Sequence, residues 1–226
     1  MNRPAILSVG IIDDSREDAE MLEDHLRDAG YEVGLVRLSS VAEEICDEVQ
    51  HNYSAAICDH VLRHGSPFRE DGASLAASLF RRGVPVILVS ARLEGHSGAS
   101  IRPYRRHLPA VLSRLEIDDV RIKAAFAECV EELGGHLSSK RRPHRTIIRV
   151  EDCFMERKLA DVVVHGWDSR MVVPMSLEFL PPATLAGIVR GAQLIADVNL
   201  GADRAEELYF DNVELAPSID GIDDLP

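Results

Sequence analysis

What most restricts the fold of this chain is a series of short apolar runs, each breaking off at a polar residue and each followed by a stretch of helical period. Ile6 to Ile12 reads ILSVGII and gives way to Asp13-Asp14-Ser15. Ser54 to Cys58 (SAAIC) presents Asp59, and Val84 to Val89 (VPVILV) ends at Ser90. Runs this short and this apolar suit strands buried on both faces of a sheet. Glu32 to Arg37 alternates like a strand near the sheet edge, and Pro109 to Leu112 is a weak fifth strand. Between the runs, Ala19, Leu22, Leu26 and Ala29 repeat at helical spacing up to Gly30, with Ser15 and Asp18 forming a capping-box-like start. Val41, Ile45 and Val49 mark a second helix. Leu75, Leu79 and Phe80 mark a third that Gly83 stops, and Val120, Ala124, Ala125, Cys129, Val130 and Leu133 line a fourth that Gly134-Gly135 closes.

Strands alternating with helices predict an α/β unit over residues 1–137, a five-stranded parallel doubly wound sheet with right-handed crossovers. In open sheets of this kind the ligand crevice lies outside the carboxyl ends of the strands. Asp13, Asp14, Asp59 and Ser90 all fall at that edge. Three carboxylates and a hydroxyl there suit a phosphoryl group and Mg²⁺, which accepts one or two protein carboxylates together with phosphate oxygens. Taken alone, an acidic pair after a strand is as readily a helix N-terminal cap. It is the addition of Asp59 and Ser90 at the same edge that favours a site.

From Thr146 the pattern changes to short β-rich segments: Thr146 to Val150, Ala160 to Gly166, Met171 to Val173, Gly187 to Leu200 and Leu208 to Leu215. They predict a small, partly closed barrel-like or sandwich output domain over residues 146–217, joined by a solvated basic linker at 138–145 (Lys140-Arg141-Arg142-Pro143-His144-Arg145) and followed by an acidic disordered tail at 218–226. Trp167 is expected to pack this domain at a turn.

The formal net charge of −13 argues against a general nucleic-acid surface, whose footprint is a basic face. Cys46, Cys58, Cys129 and Cys153 lack metal or redox spacing and read as reduced thiols, which fits the cytoplasm. No leader is read at the start, and no run approaches the roughly 18 apolar residues of a membrane span. His60, His64, His96 and His107 share no ligand spacing and are expected as exposed loop histidines. Phosphate-binding glycine loops and the nucleophile elbow are absent.

The motifs Ile11-Ile12-Asp13-Asp14-Ser15, Ala56-Ile57-Cys58-Asp59, Asp71-Gly72 and Val86-Ile87-Leu88-Val89-Ser90-Ala91 together resemble, in order and spacing, the receiver domain of two-component response regulators. The resemblance implies Asp59 as the acceptor of a phosphoryl group from a phosphohistidine, Asp13, Asp14 and Asp59 as Mg²⁺ ligands, and Ser90 as the hydroxyl that reads the phosphoryl group. The family's Lys near the end of the fifth strand is missing. Arg114 is the best match for its place, and the exchange is not conservative. The aromatic residue expected shortly before it is also absent, with Tyr104 too far upstream to fill the role. The loop after Asp59 is longer than the family's, and Arg92 to His107 is irregular where a helix is expected.

Three functions follow. The first is a two-component signalling protein that takes phosphate from a sensor histidine kinase or phosphotransfer protein and controls a noncatalytic, protein-binding output domain. The second is a phosphorylation-independent scaffold on the same fold. The third, an Mg²⁺-dependent phosphohydrolase, lacks a second acid or base after Asp59. The chain is thus expected to be no enzyme beyond its own phosphorylation. The output protein stays unidentified, a homodimer is left open, and a recognition helix for DNA is missing from residues 146–215.

Overall fold

The computed structural model describes residues 6–62, 67–68, 71–91 and 100–217. The chain divides into two compact units, Met1–Ser138 and Ser139–Pro226.

In unit 1 the strands are β1 (Ser8–Ile12), β2 (Glu32–Leu35), β3 (Ala55–Asp59), β4 (Val86–Ser90) and β5 (Ala110–Ser113). All pair in parallel in the order β2-β1-β3-β4-β5. This is the flavodoxin-like order, which reverses direction between β1 and β3 and so opens a crevice at their carboxyl ends. The helices are α1 (Arg16–Asp28), α2 (Ala42–Asn52), α3 (Gly72–Arg81) and α4 (Asp119–Leu133). α1 packs beside α4 and α2 beside α3, as the two faces of such a sheet require. Every residue of β3 and β4 is buried. The apolar faces read from the sequence point inward: Ala19, Leu22 and Leu26 on α1, Ile45 and Val49 on α2, and Ala125 and Cys129 on α4. Val120 does not, being 69% exposed in the first turn of α4. On the sheet, Gly10 and Gly34 stand side by side, and a Cβ would meet the Tyr53 side chain at 2.8 Å from Gly10 and at 2.5 Å from Gly34. Both glycines therefore make room for that side chain.

Between β4 and β5, the irregular stretch contains a 3-10 helix over Arg102–His107 that packs on α3. Residues 92–99 of that stretch, His64 and His96 among the expected loop histidines, and the tail at 218–226 lie outside the described residues.

Unit 2 has β6 (His144–Phe154), β7 (Leu159–Val164), β8 (Asp168–Ser176), a short α5 (Pro182–Ala186), β9 (Gln193–Val198) and β10 (Phe210–Leu215). They form an antiparallel sheet in the order β10-β9-β6-β7-β8. β6, β7 and β8 are joined in sequence and β9 returns beside β6, which is a Greek key with β10 added at its edge. The expected barrel is corrected by this order. β8 and β10 end the sheet on opposite sides, so it stays open. Closure is not needed because the connections cover one face: Leu177, Ile188, Ala202 and Leu208 are buried against Ile148, Val162, Met175, Leu194 and Val198. Trp167 sits at the β7–β8 turn, where its Nε1 donates to the Ala202 carbonyl at 2.7 Å.

Part of the stretch at 138–145 belongs to the structure of unit 2, while Lys140, Arg142, His144 and Arg145 are exposed. His144 and Arg145 open β6, Arg141 is buried with its guanidinium over the Tyr209 ring, and the Tyr209 hydroxyl donates to the Arg141 carbonyl at 2.6 Å. Arg145 pairs with Asp197 and Glu214, and Lys140 with Asp203. Acidic partners within the unit account for much of the local positive charge. Among the described residues no helix is long and apolar enough to cross a membrane.

Candidate phosphoryl and metal site

Asp59 is the last residue of β3, and Asp13 and Asp14 follow β1 directly, so the switch point of the sheet gathers all three. Each offers one carboxylate oxygen, and these oxygens lie within 4.8 Å of one another. Ser90 ends β4, and Arg114 follows β5 in a 3-10 turn over Arg114–Glu116. The Arg114 guanidinium reaches back across the edge. Its Nη2 donates to Asp59 Oδ1 at 2.5 Å and to Asp13 Oδ2 at 3.2 Å, and its Nη1 lies 2.7 Å from Asp18 Oδ2 in an ion pair. The Arg114 side chain is 15% exposed and that of Asp13 only 1%. Of the residues singled out in the sequence, the structure thus brings together Asp13, Asp14, Asp59 and Arg114.

The remaining oxygens are held by backbone. Asp59 Oδ2 accepts the Val61 N–H at 2.9 Å, and Asp13 Oδ1 accepts the Ser15 N–H at 2.9 Å. That last bond replaces half of the expected capping box. Ser15 Oγ does accept the Asp18 N–H, but the Asp18 carboxylate turns to Arg114 and Asp13 takes the Ser15 N–H in its stead. The α1 cap is therefore wired into the acidic cluster.

Burial pushes the Asp13 carboxyl up from 3.8 to about 6, against the Ser15 N–H, which lowers it; Asp59 raises it further and Arg114 opposes that. Desolvation of crowded carboxylates is the expected cause. An oxygen-rich donor set of this kind fits Mg²⁺. The guanidinium on Asp13 and Asp59 partly neutralises the same two carboxylates, so a bound cation would share them with Arg114.

Ser90 is 1% exposed, and its hydroxyl lies 3.0 Å from His60 Nδ1. His60 is 5% exposed, which corrects its expected place as an exposed loop histidine; His107 is only partly buried. His60 Nε2 meets Ser100 Oγ at 2.8 Å and Asp71 Oδ1 at 3.3 Å. Asp71 is the N-cap of α3, accepting the Ala73 N–H at 2.9 Å. Burial pushes the Asp71 carboxyl up, but hydrogen bonds from His60, the Ala73 N–H and Ser100 outweigh it and hold the acid below its usual range. Sequence reasoning missed Asp18, His60 and Ser100. For His60 the available signal was its position directly after Asp59, at a strand end already marked as a site.

Gly72 closes this end of the unit. A Cβ there would stand 1.9 Å from the Asp59 carbonyl oxygen, and the Gly72 N–H donates to the His60 carbonyl at 3.0 Å. Only a residue without a side chain lets α3 start so close to the end of β3. The Asp59 carboxyl, a guanidinium bonded to it and the Ser90 hydroxyl one strand away thus share this edge.

No family model matches the chain, and no curated protein does. Among solved structures, it matches the receiver domain of a modulated diguanylate cyclase from Desulfovibrio desulfuricans G20, at 18% identity and a TM-score of 0.45 over 57% of this chain and 98% of the other. A response regulator receiver domain from Clostridium thermocellum matches at 16% identity and a TM-score of 0.42, over 56% of this chain and 96% of that one. One from Methanospirillum hungatei JF-1 matches at 16% identity and 0.42, over 58% and 98%. The C-terminal region is left unmatched. In these matches the chain is similar to response regulator receiver domains.

Proposed function

We propose that this chain is a phosphorylation-controlled signalling protein of the two-component type, with Asp59 as phosphoryl acceptor. The observation that carries the reading is the meeting of Asp13, Asp14 and Asp59 at the switch point, with Arg114 bonded to the acceptor carboxylate. An Asp59 oxygen forms the bond to phosphorus as the phosphorus–nitrogen bond of a phosphohistidine breaks. The imidazole leaves with the electron pair and takes up a proton. Asp13, Asp14 and Asp59 would hold Mg²⁺, which when bound supplies positive charge against the phosphoryl oxygens. Arg114 stays beside Asp59 and pairs with those oxygens, and Ser90 donates a hydrogen bond to one of them. The donor is a sensor histidine kinase or phosphotransfer protein, and unit 2 is a noncatalytic output domain that binds a protein in the cytoplasm.

Incubation with acetyl phosphate and Mg²⁺, followed by intact-protein mass spectrometry, tests the reading. One phosphoryl group is expected on the wild type and none on Asp59→Asn. A wild type left unmodified by both acetyl phosphate and a cognate kinase overturns it.

One observation favours a second reading, the phosphorylation-independent scaffold. Arg114 already places a positive charge on Asp59, as a metal or a phosphoryl-sensing Lys would. The same mass measurement separates the two.

A further inference from the structure

We propose that His60 is the positioning residue that aims the Ser90 hydroxyl and ties it to the start of α3, so that a phosphoryl group at Asp59 is read out through α3. The inference rests on the phosphoacceptor reading of Asp59 for its trigger, and on the geometry of His60 for its route.

His60 is buried and holds polar partners on both ring nitrogens: Ser90 Oγ at Nδ1, and Ser100 Oγ and Asp71 Oδ1 at Nε2. The Asp71 acid is held below its usual range, and as a carboxylate it can only accept, so the nitrogen facing it carries the proton. In the neutral ring this tautomer leaves Nδ1 as the acceptor, and the Ser90 O–H is its donor. At rest the hydroxyl proton is therefore directed at His60. To donate to a phosphoryl oxygen, Ser90 must turn that proton away from the ring.

The ring cannot lose this bond without effect further along. Asp71 Oδ1 is shared between His60 Nε2 and the Ala73 N–H that it caps, and the Gly72 N–H donates to the His60 carbonyl. One carboxylate oxygen thus joins the imidazole to the first turn of α3. His60 and Ser90 are both buried, so a partner released between them is costly, and a changed hydrogen bond at Ser90 is passed along as a changed bond at Asp71. The route runs sideways from β4 to the β3–α3 connection, and it needs no aromatic residue on β5.

Two measurements on the full chain test this. Long-range proton–nitrogen correlation spectra of the resting protein, labelled at histidine, report the tautomer of each ring, with His60→Gln assigning the signal. The Nε2–H form is expected for His60, and its loss is expected in Asp71→Ala. A His60 ring in the Nδ1–H form overturns the proposal. Amide exchange is then compared with and without acetyl phosphate and Mg²⁺. In the wild type, phosphorylation is expected to change exchange over residues 72–75. In His60→Gln, and in His60→Leu should the first variant fold poorly, Asp59 is still phosphorylated by mass and that change is lost. An unaltered change over 72–75 in a phosphorylated His60 variant overturns the proposal. A wild type that takes no phosphate overturns the function proposed for Asp59 and the α3 readout with it, whereas the tautomer spectrum still decides whether His60 holds Ser90.

Discussion

Asp13 carries the site's least comfortable charge. Its folded-state acid is weaker than its unfolded one, about 6 against 3.8, so between those values the native state holds more protons than the unfolded state. Stability then falls as pH rises through that window, because stability rises with pH only where the unfolded state binds more protons. The metal-free wild type is expected to lose up to about 3 kcal/mol between the two values, at 1.36 kcal/mol per unit. Urea unfolding at a series of pH values reads this directly, and Asp13→Asn should flatten the slope. Arg114 restrains the same cluster. Arg114→Ala leaves Asp13 and Asp59 facing each other without their shared cation, at a cost of about 3 kcal/mol near neutral pH, the usual loss when one partner of a buried pair is removed. In that variant Mg²⁺ should raise the melting temperature more than in the wild type, since ligand that binds only the native state stabilises it. An equal Mg²⁺ response in both proteins contradicts a shared site.

The start of α3 is the element on which the site leans most. Gly72 is its first residue, and its missing side chain is what allows the approach to the Asp59 carbonyl. Gly72→Ala should cost about 2 to 3 kcal/mol, as overpacking of a tight contact does. Thermal unfolding measures it, and near-wild-type stability would mean that the helix can shift without harm. At this scale the sequence is informative wherever an apolar run breaks off at a polar residue. β1, β3 and β4 are short, apolar and buried, so their ends, and with them Asp13, Asp59 and Ser90, could be placed from the apolar runs and where they break off. Arg114 could be placed only by the order of elements, since β5 is a weak run and its role depends on a guanidinium reaching 55 residues back in sequence to Asp59. The contact of His60 with Ser100 is hidden for the same reason. Their meeting is made by the folding of distant connections, and no local spacing records it. The open sheet of unit 2 was misjudged because alternation identifies strands but says nothing of whether the outer two meet.

At the level of the whole molecule, two cores are built separately. Unit 2 buries its own apolar set, from Ile148 on β6 to Val213 on β10, and its N-terminal end is fastened internally by Asn199 Nδ2 to the Lys140 carbonyl and by Tyr209 to Arg141. Residues 139–217 expressed alone should therefore give a cooperative thermal transition, since a domain with its own core can fold by itself. The fragment should also fail to retard DNA or RNA at physiological salt, because Arg145 and Lys140 are engaged by acids. Salt-sensitive retardation would restore a nucleic-acid output. A fragment extended only from Thr146 would lack the first two residues of β6 and the Arg141 anchor, and it should be the less stable of the two.

The chain has a single tryptophan, and it lies in unit 2 with its indole nitrogen fastened to Ala202. Tyr31, Tyr53 and Tyr104 belong to unit 1. Light absorbed by indole alone therefore addresses one half of the molecule, and the emission colour reports whether that half has opened to water. Far-ultraviolet dichroism sums over both halves. If the two optical signals move together during denaturation, the halves unfold as one cooperative body; if they separate, each follows its own transition. The placement of one side chain thus gives the intact protein a built-in gauge of communication between its halves, without a label or a cut.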